Sequence, residues 1–356
     1  MTRLFVLLFS LVAFSASTFA ATPEKEPAAG SIALPNGIEL PMRVRVAFRV
    51  LNVLQIAEVA GQGRLYVEIT QRWSDPRLRF DAVAAGTGRV DRVGNDADQY
   101  LKTIWNPGLT VDNQVGESSS RTVAISTYAN GDVVFIERYE GTFRFRMNMD
   151  AFPFDTQNLT FSLSLPRYAK QEAILIATEA DRQLSGVDES LSVVDWKPLR
   201  VRFSNEESMG WNARSYSRLN ATVTLARQSE RYLLRIFIPI LAVLAVSIFI
   251  LWSSDLTEKD KGTQIFSSLL ALAALSFTFE ASFPGSISLN TPVAQIISLG
   301  YLYLVAVLML EVLLSAGCAN PNTQVACIAL KRQVRWALPL MMGIISVGAA
   351  VRAIPA

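Results

Sequence analysis

The chain has 356 residues, of which 51% are hydrophobic and 18% are charged, and its formal net charge is +2. It contains no histidine, so zinc hydrolysis and Ser-His catalysis lack their usual residues, and no clustered basic face indicates a nucleic-acid partner. We therefore predict a protein that is not an enzyme and that carries neither a metal nor another cofactor.

The first 20 residues have the layout of a cleaved secretory signal. Arg3 precedes an apolar run from Leu4 to Phe14, and small residues follow up to Ala20. The run is shorter than the roughly 20 residues that a membrane-spanning helix needs, which favours a signal over its alternative, an uncleaved anchor. Residues 21–37 are rich in Ala, Pro, Glu and Gly and are predicted to form a flexible leader.

Residues 38–230 are predicted to form an extracytoplasmic, immunoglobulin-like β-sandwich. Short apolar runs alternate with turn signals such as Asn130-Gly131-Asp132 and Ser185-Gly186-Val187-Asp188. The clearest strands are Leu65 to Trp73, Arg121 to Tyr128, Val133 to Arg146, Asn158 to Leu165 and Arg218 to Gln228. Their alternation is typical of strands with one face packed on a second sheet.

Residues 231–356 are predicted to form a four-helix transmembrane domain. The four apolar segments are Tyr232 to Trp252, Gly262 to Phe283, Pro292 to Leu314 and Val334 to Val351. Positive charges lie between the first two spans and before the fourth, at Lys259, Lys261, Lys331, Arg332 and Arg335, whereas residues 284–291 carry none.

The charge asymmetry places the N-terminal domain outside the cytoplasm, which for a protein of a cell inner membrane is the periplasm. Cys318 and Cys327 would then lie in a cytoplasmic loop, where thiols are normally reduced. They could form a bridge if the topology were inverted.

The second span carries a stripe that changes from polar to apolar. Helical steps of three and four place Thr263, Ser267, Leu270, Ala274, Phe277 and Ala281 on one face. Because hydroxyls at membrane depth lie against water or protein, several copies around an axis would line a pore. The alternative is a packed helix whose Ser and Thr side chains bond back to their own carbonyls.

Five motifs, in this order, resemble those of the pentameric ligand-gated ion channels, especially the prokaryotic members. They are Trp73-Ser74-Asp75-Pro76-Arg77-Leu78, Trp105-Asn106-Pro107, Phe152-Pro153-Phe154-Asp155-Thr156-Gln157, Arg227 twelve residues before Pro239, and Asp260-Lys261-Gly262-Thr263 with Ser267 and Leu270. The cysteines that close the signature loop in animal receptors would fall near Phe145 and Leu159, and neither is cysteine here. The resemblance implies a homopentamer in lipid, gated by an unidentified small-molecule agonist or by protons.

The resemblance places the ion path on the second span. Five copies of Asp260 would form a carboxylate ring that favours monovalent cations, and Thr263 and Ser267 would lend hydroxyls to the ion. Alternatively, Asp260 complements the positive end of its own helix. If Lys259 or Lys261 faces the lumen instead, the same fold would be an anion-selective channel.

The outer half of the span is predicted to hold the gate. Leu270, Ala274 and Phe277 would form a water-repelling section, unless they are ordinary packing residues. Glu280 would concentrate cations at the outer mouth, unless it is a solvated charge at a helix end.

Coupling between the two domains is predicted at their junction. The resemblance places Glu58 beside Asp155 and Arg227, and such a cluster is either a hinge that opens the pore or a fixed ion pair. Pro153 would stiffen the signature loop, and the loop from Pro284 to Pro292 would receive the push.

The resemblance implies that the agonist binds between neighbouring outer domains. Its candidate residues are Trp105, Arg167, Tyr168, Trp211, Arg214 and Tyr216, with Glu68, Arg121 and Tyr128 from the neighbour. An aromatic cage would suit an amine and the arginines a carboxylate, while proton sensing would rest on carboxylates such as Glu58, Glu68 or Glu280. The alternative for the aromatic residues is core or edge packing.

A different function also stays open, namely a membrane-anchored β-sandwich binding protein without conductance.

Overall fold

The computed structural model describes residues 33–35, 38–188, 196–210, 213–253, 256–283, 290–319 and 324–353. The predicted signal peptide and nearly all of the predicted leader lie outside these ranges. The strands are β1 Met42–Ala57, β2 Gln62–Ser74, β3 Arg89–Val93, β4 Thr110–Val111, β5 Gln114–Tyr128, β6 Asp132–Arg144, β7 Thr156–Ser164, β8 Ala173–Ile176, β9 Gly186–Val187, β10 Trp196–Met209 and β11 Ser215–Arg227. The helices are α1 Ala82–Ala85, α2 Gly94–Leu101, α3 Glu179–Gln183, α4 Ser229–Tyr232, α5 Ile238–Trp252, α6 Glu258–Ser282, α7 Pro292–Cys318 and α8 Gln324–Ala353, with a 3-10 turn at Pro76–Leu78 and a π-helical turn at Leu233–Phe237.

The strands form the two sheets of a sandwich. The larger sheet has the order β3-β5-β6-β2-β1-β8, with β9 also paired to β1, and the smaller has the order β10-β11-β7-β4. The inward faces meet in one apolar core, where the rings of Phe48 on β1 and Phe161 on β7 lie 4.5 Å apart. The predicted β-sandwich is therefore confirmed.

The five clearest predicted strands correspond to β2, β5, β6, β7 and β11. Two other long strands have weaker patterns. Register shifts between Val50 and Asn52 and between Val53 and Gln55 break the alternation of β1. Strand β10 lies at a sheet edge and is mostly exposed, so its sequence is not constrained to alternate.

The helices after the sandwich agree with the predicted membrane domain. Within the described residues, three are long and apolar enough to cross a membrane: Leu234–Trp252, Glu258–Ser282 and Pro292–Cys318. The fourth predicted segment falls inside α8. Gly300 lets α7 approach α5 and α6 closely, because a Cβ atom there would lie 3.1 Å from a methyl carbon of Leu272 and 3.4 Å from one of Leu244.

The contacts of the loop between β6 and β7 show which end of α6 lies against the sandwich. The ring of Phe152 in this loop packs 5.4 Å from the ring of Tyr232 and 5.5 Å from that of Phe283, which directly follows α6. The C-terminal end of α6 thus lies against the sandwich, and we call it the junction end. The end that begins at Glu258 is the distal end.

The two cysteines correct one expectation. Cys318 and Cys327 form a disulfide, whereas a cytoplasmic location predicted two reduced thiols. Cys318 ends α7, Cys327 lies in the first turn of α8, and their Cα atoms are 5.4 Å apart, within the range that a disulfide requires. The sulfur atoms come together because a short connection joins two packed helix ends. The expectation of reduced thiols considered only the cellular compartment and not this packing.

Candidate functional site

Arg227, the last residue of β11, connects the sandwich to the helices. Its Nε donates a hydrogen bond to Asp155 Oδ1 at 2.7 Å, and its Nη2 donates to Asp155 Oδ2 and to Glu58 Oε1, both at 3.2 Å. Glu58 lies in the turn between β1 and β2. The structure therefore brings together the three residues that the resemblance placed side by side.

Aromatic rings enclose the same guanidinium, whose side chain is only 2% exposed. Its carbon lies 4.1 Å from the ring centre of Trp196, 4.9 Å from that of Phe152 and 5.5 Å from that of Tyr232, and Nη1 donates to the Tyr232 hydroxyl at 3.3 Å. Burial by itself lowers the pKa of Arg227, but the hydrogen bond and charge of Asp155 outweigh burial and hold the pKa above its ordinary value. The arginine therefore stays charged while excluded from water.

Gln157 positions the carboxylate that binds Arg227. Its Nε2 donates to Asp155 Oδ2 and to the Asn148 carbonyl, both at 2.6 Å, and its Oε1 accepts from the Asn148 amide at 3.1 Å. This side chain thus closes the signature loop without a disulfide. Pro153, which was predicted to stiffen this loop, follows Phe152 through a cis peptide bond.

The signature loop also contacts the pore-lining candidate helix. Phe152, which is buried, packs on Phe283 at the junction end of α6 and on Tyr232 at the start of the first span. Pro284, the predicted receiver of the push, lies outside the described residues. Sequence reasoning missed Gln157, Trp196 and Tyr232 as partners of the cluster; the only signal was that Gln157 belongs to the F-P-F-D-x-Q motif.

Helix α6 exposes the predicted stripe. Its buried residues are Lys261, Ile265, Ser268, Leu272 and Phe279. All six stripe residues, Thr263, Ser267, Leu270, Ala274, Phe277 and Ala281, are exposed in the single chain, and Leu270 and Phe277 reach 73% and 75%. Large apolar side chains this exposed mark a face that is free to meet other copies, lipid or a lumen.

The hydroxyls of the stripe donate hydrogen bonds to carbonyl groups of the same helix, as the packed-helix alternative predicted. Thr263 donates to the Lys259 carbonyl and Ser267 to the Thr263 carbonyl, each at 2.9 Å. A hydroxyl that donates one hydrogen bond keeps its acceptor lone pairs, so both oxygens can still face an ion.

The charges at the distal end of α6 separate into two groups. Glu258, Lys259 and Asp260 are exposed, whereas Lys261 is buried with its Nζ 3.1 Å from Glu311 Oε2 on α7. Thr257 caps this end of α6, because its Oγ1 accepts from the Asp260 amide at 3.2 Å and donates to Asp260 Oδ2 at 2.5 Å. At the other end of α6, Glu280 is exposed.

Trp105, a proposed ligand residue, is placed in the core. It is fully buried, with its ring centre 5.9 Å from that of Trp73 and 5.5 Å from that of Tyr168. The sandwich interior takes up its large apolar area, so this side chain is not available to a ligand. This corrects the sequence-based placement in favour of its packing alternative.

Several other ligand candidates lie on adjoining loops. The Lys170 amide donates to the Ser215 carbonyl at 2.8 Å, which holds the loop of Arg167 and Tyr168 against the start of β11, where Arg214 and Tyr216 lie. Trp211 lies outside the described residues.

The candidates expected from the neighbouring subunit lie on the larger sheet, and two of them are engaged in ion pairs. Glu68 accepts from Arg138 Nε at 2.6 Å, and Arg121 donates to Asp98 at 2.9 Å and also binds Glu137. Tyr128, at the end of β5, is partly buried. An agonist would therefore meet Glu68 and Arg121 as members of ion-paired clusters rather than as isolated charges.

Known proteins resemble this chain over most of its length. Residues 33–229 match the family model of the neurotransmitter-gated ion-channel ligand binding domain. A proton-gated ion channel of Gloeobacter violaceus is 24% identical over 281 residues, which cover 76% of this chain and 73% of that channel.

Animal receptors match over a smaller part of their own length. The human glycine receptor subunit beta is 25% identical over 256 residues, 70% of this chain and 50% of the receptor. The pH-sensitive chloride channel 2 of Drosophila melanogaster is 24% identical over 257 residues, 69% of this chain and 48% of that protein. The chain thus spans about half the length of these two relatives.

Replacing Arg227 tests the junction. We expect Arg227→Met to lower the free energy of unfolding in detergent by about 3–5 kcal/mol, because it leaves buried Asp155 without its partner. The stability of Arg227→Lys should lie between those of the wild type and Arg227→Met, since an ammonium cannot bind both carboxylate oxygens in the fork geometry. The control is Arg182→Met, which removes an exposed pair with Glu179 at 4.0 Å and should change stability by less than about 1 kcal/mol. Equal losses for Arg182→Met and Arg227→Met would contradict the special role of Arg227.

Proposed function

This chain belongs to the family of pentameric ligand-gated ion channels, and we propose that it is a homopentameric, cation-selective channel whose helix α6 lines the pore. The family assignment makes it a membrane protein with an extracellular ligand-binding domain, and not an enzyme. We further propose that it lies in a cell inner membrane with the sandwich in the periplasm, as the distribution of Lys and Arg indicates.

The exposed stripe of α6 is the observation that carries this proposal. Its hydroxyl residues Thr263 and Ser267 lie toward the distal end, and its apolar residues Leu270, Ala274 and Phe277 lie toward the junction end. Five copies with this face inward would give a wet section followed by a narrow apolar section. An apolar constriction can stop ions by losing its water, so the apolar section is the proposed gate.

The charges at the distal end support cation selectivity. Of the four charged residues from Glu258 to Lys261, two carboxylates and one ammonium are exposed, which gives a net charge of −1 per subunit once buried Lys261 is set aside. Five such ends would attract cations in a narrow lumen. Exposed Lys259 keeps anion selectivity as the second candidate, and the family includes chloride channels such as the Drosophila relative.

The junction offers a physical route from agonist to gate. The carboxylates of Glu58 and Asp155 hold Arg227 in the sandwich, and Phe152 of the same loop packs on Phe283 at the end of α6. A shift of this loop would therefore be passed to α6 through a ring contact. We propose that the cluster is the coupling element.

The trigger is proposed to be a small molecule bound beside Arg167, Tyr168, Arg214 and Tyr216, or a proton. The Gloeobacter relative is described as proton-gated, and without histidine a proton sensor in this chain would be a carboxylate. The guanidinium groups of Arg167 and Arg214 favour a carboxylate ligand over an amine.

The proposed function is tested by recording the purified protein in planar bilayers. Reversal potentials in asymmetric NaCl report the sign of the permeant ion, while pH, amines, carboxylates and divalent ions are screened as triggers. We expect currents that reverse near the cation equilibrium potential, and Asp260→Asn should weaken this preference. Reversal near the chloride potential would support the anion-selective alternative, and the lack of any current with a monomeric particle would support the binding-protein alternative.

Water accessibility of α6 can be checked with cysteine probes. We expect Ser267→Cys to react with a water-soluble thiol reagent in the open channel, because this side chain is on the exposed stripe. Ser268→Cys is the matched control, since the neighbouring residue is only 5% exposed and should react far more slowly. The native cysteines form a disulfide and do not compete for the reagent. Equal reaction rates at the two positions would argue against a pore on this face.

The gate is tested by removing apolar bulk. We expect Leu270→Ala to raise basal current or agonist sensitivity, because a wider apolar section holds water more easily. Leu269→Ala, next to it on a partly buried face, should leave basal current unchanged. Unaltered closed-state behaviour of Leu270→Ala would remove this residue from the gate.

A further inference from the structure

A buried ion pair joins three membrane helices at the distal end of α6. Lys261 Nζ lies 3.1 Å from Glu311 Oε2 on α7, and the two side chains are 3% and 4% exposed. Lys331 Nζ on α8 lies 3.7 Å from the same oxygen and is 32% exposed. We call these three residues the distal cluster.

Glu311 makes the buried position of Lys261 tolerable. Lys261 is in the first turns of α6, where the positive end of the helix dipole disfavours an ammonium. A buried charge also requires a partner of opposite sign. A carboxylate within a membrane span is likewise costly unless it is paired with a positive charge. The second oxygen of Glu311, Oε1, is buried and has no hydrogen-bond partner in the part of the chain that the structure describes. The carboxylate is therefore committed to the two lysines through Oε2.

The pair holds α6 from behind. Lys261 precedes Thr263 by two residues, which is about 200° around a helix of 3.6 residues per turn. It therefore points away from the exposed stripe and into the contact with α7. An attachment on this side fixes the rotation of the first turns, and with it which of Glu258, Lys259 and Asp260 faces the axis.

We propose that Glu311 determines the ion specificity of the channel: it binds Lys261 behind α6, holds its ammonium away from the ion path and so sets which charges reach that path. This inference rests on the proposed pore along α6. Glu311 touches no ion itself and acts through Lys261 as a positioning residue.

Loss of Glu311 changes the electrostatics of the distal end in one direction. Without its carboxylate partner, Lys261 carries an unpaired positive charge at the distal end of α6, and its flexible four-carbon chain allows the ammonium to turn toward the water of the proposed pore mouth. The exposed charge from residue 258 to residue 261 then changes from −1 to zero per subunit. If the ammonium stays in place, the same positive charge acts on the lumen through a medium that screens it weakly. Either position raises the potential at the mouth and favours anions.

The test is the permeability ratio of sodium to chloride, measured from reversal potentials of the purified full-length channel in asymmetric NaCl. We expect Glu311→Gln to lower this ratio by about tenfold, because five positive charges gain access to one narrow section of the pore. The ratio is a property of open channels and does not depend on how many channels fold. A purely structural role of Glu311 would reduce current and leave the ratio unchanged.

The matched control is the double variant Lys261→Met/Glu311→Gln. Replacing both members of a buried pair with neutral residues of similar size is far better tolerated than removing one, and it abolishes the unpaired ammonium. We expect the double variant to return the ratio to the wild-type value or above. Arg332→Gln, which alters an exposed charge beside Lys331, should change the ratio by less than about twofold.

An unchanged ratio in Glu311→Gln overturns the inference, as does an equal fall in the double variant, because Lys261 would then not be the cause. If Glu311→Gln yields no channels, Glu311→Asp is measured instead. Its shorter side chain stretches the contact with Lys261, so a lowered ratio supports the inference and a wild-type ratio overturns it. A wild-type channel that reverses at the chloride potential overturns the proposed cation selectivity, yet a further shift toward chloride in Glu311→Gln would still support the role of Glu311.

Discussion

The structure depends on one desolvated cation, the guanidinium of Arg227. Arg227 is the last residue of the last strand of the sandwich. Its guanidinium binds two carboxylates from separate loops and lies among aromatic rings that extend to the first and second membrane helices. A buried charge persists only with its partners in place, so the loops that carry Glu58 and Asp155 cannot move independently of the strand that enters the membrane. The cluster thus makes two domains with separate cores into one mechanical unit.

A second constraint is the division of α6 into two faces. One face contributes Ile265 and Leu272 to the apolar interior of the helix domain, and the other leaves Leu270 and Phe277 uncovered. Within one chain nothing packs on this face, so it is available to lipid, to other copies or to a lumen. In the proposed pentamer, the buried face would hold the subunit together and the uncovered face would enclose the ion path.

Sequence patterns predicted much of this architecture. Strand alternation located β2, β5, β6, β7 and β11, hydropathy located the membrane helices, and a step of three and four residues located the exposed stripe. The motifs located the acidic partners of Arg227. What the patterns could not do was rank chemically similar residues: Trp105 and Tyr168 looked alike as ligand candidates, yet Trp105 is fully buried and Tyr168 only partly. Likewise, Lys259 and Lys261 are separated by one residue, yet α7 presents Glu311 to Lys261 and leaves Lys259 exposed.

The amino-acid sequence by itself determined the order of domains, the approximate positions of the membrane helices and the face of α6 that carries hydroxyls, because periodicity and hydropathy are properties of neighbouring residues. The tertiary structure alone decided which charges are neutralised. The contacts of Arg227 with Asp155 and Glu58 span 72 and 169 positions, and that of Lys261 with Glu311 spans 50. It also decided that Cys318 and Cys327 are joined, since only the packing of α7 against α8 sets the distance between the two sulfur atoms.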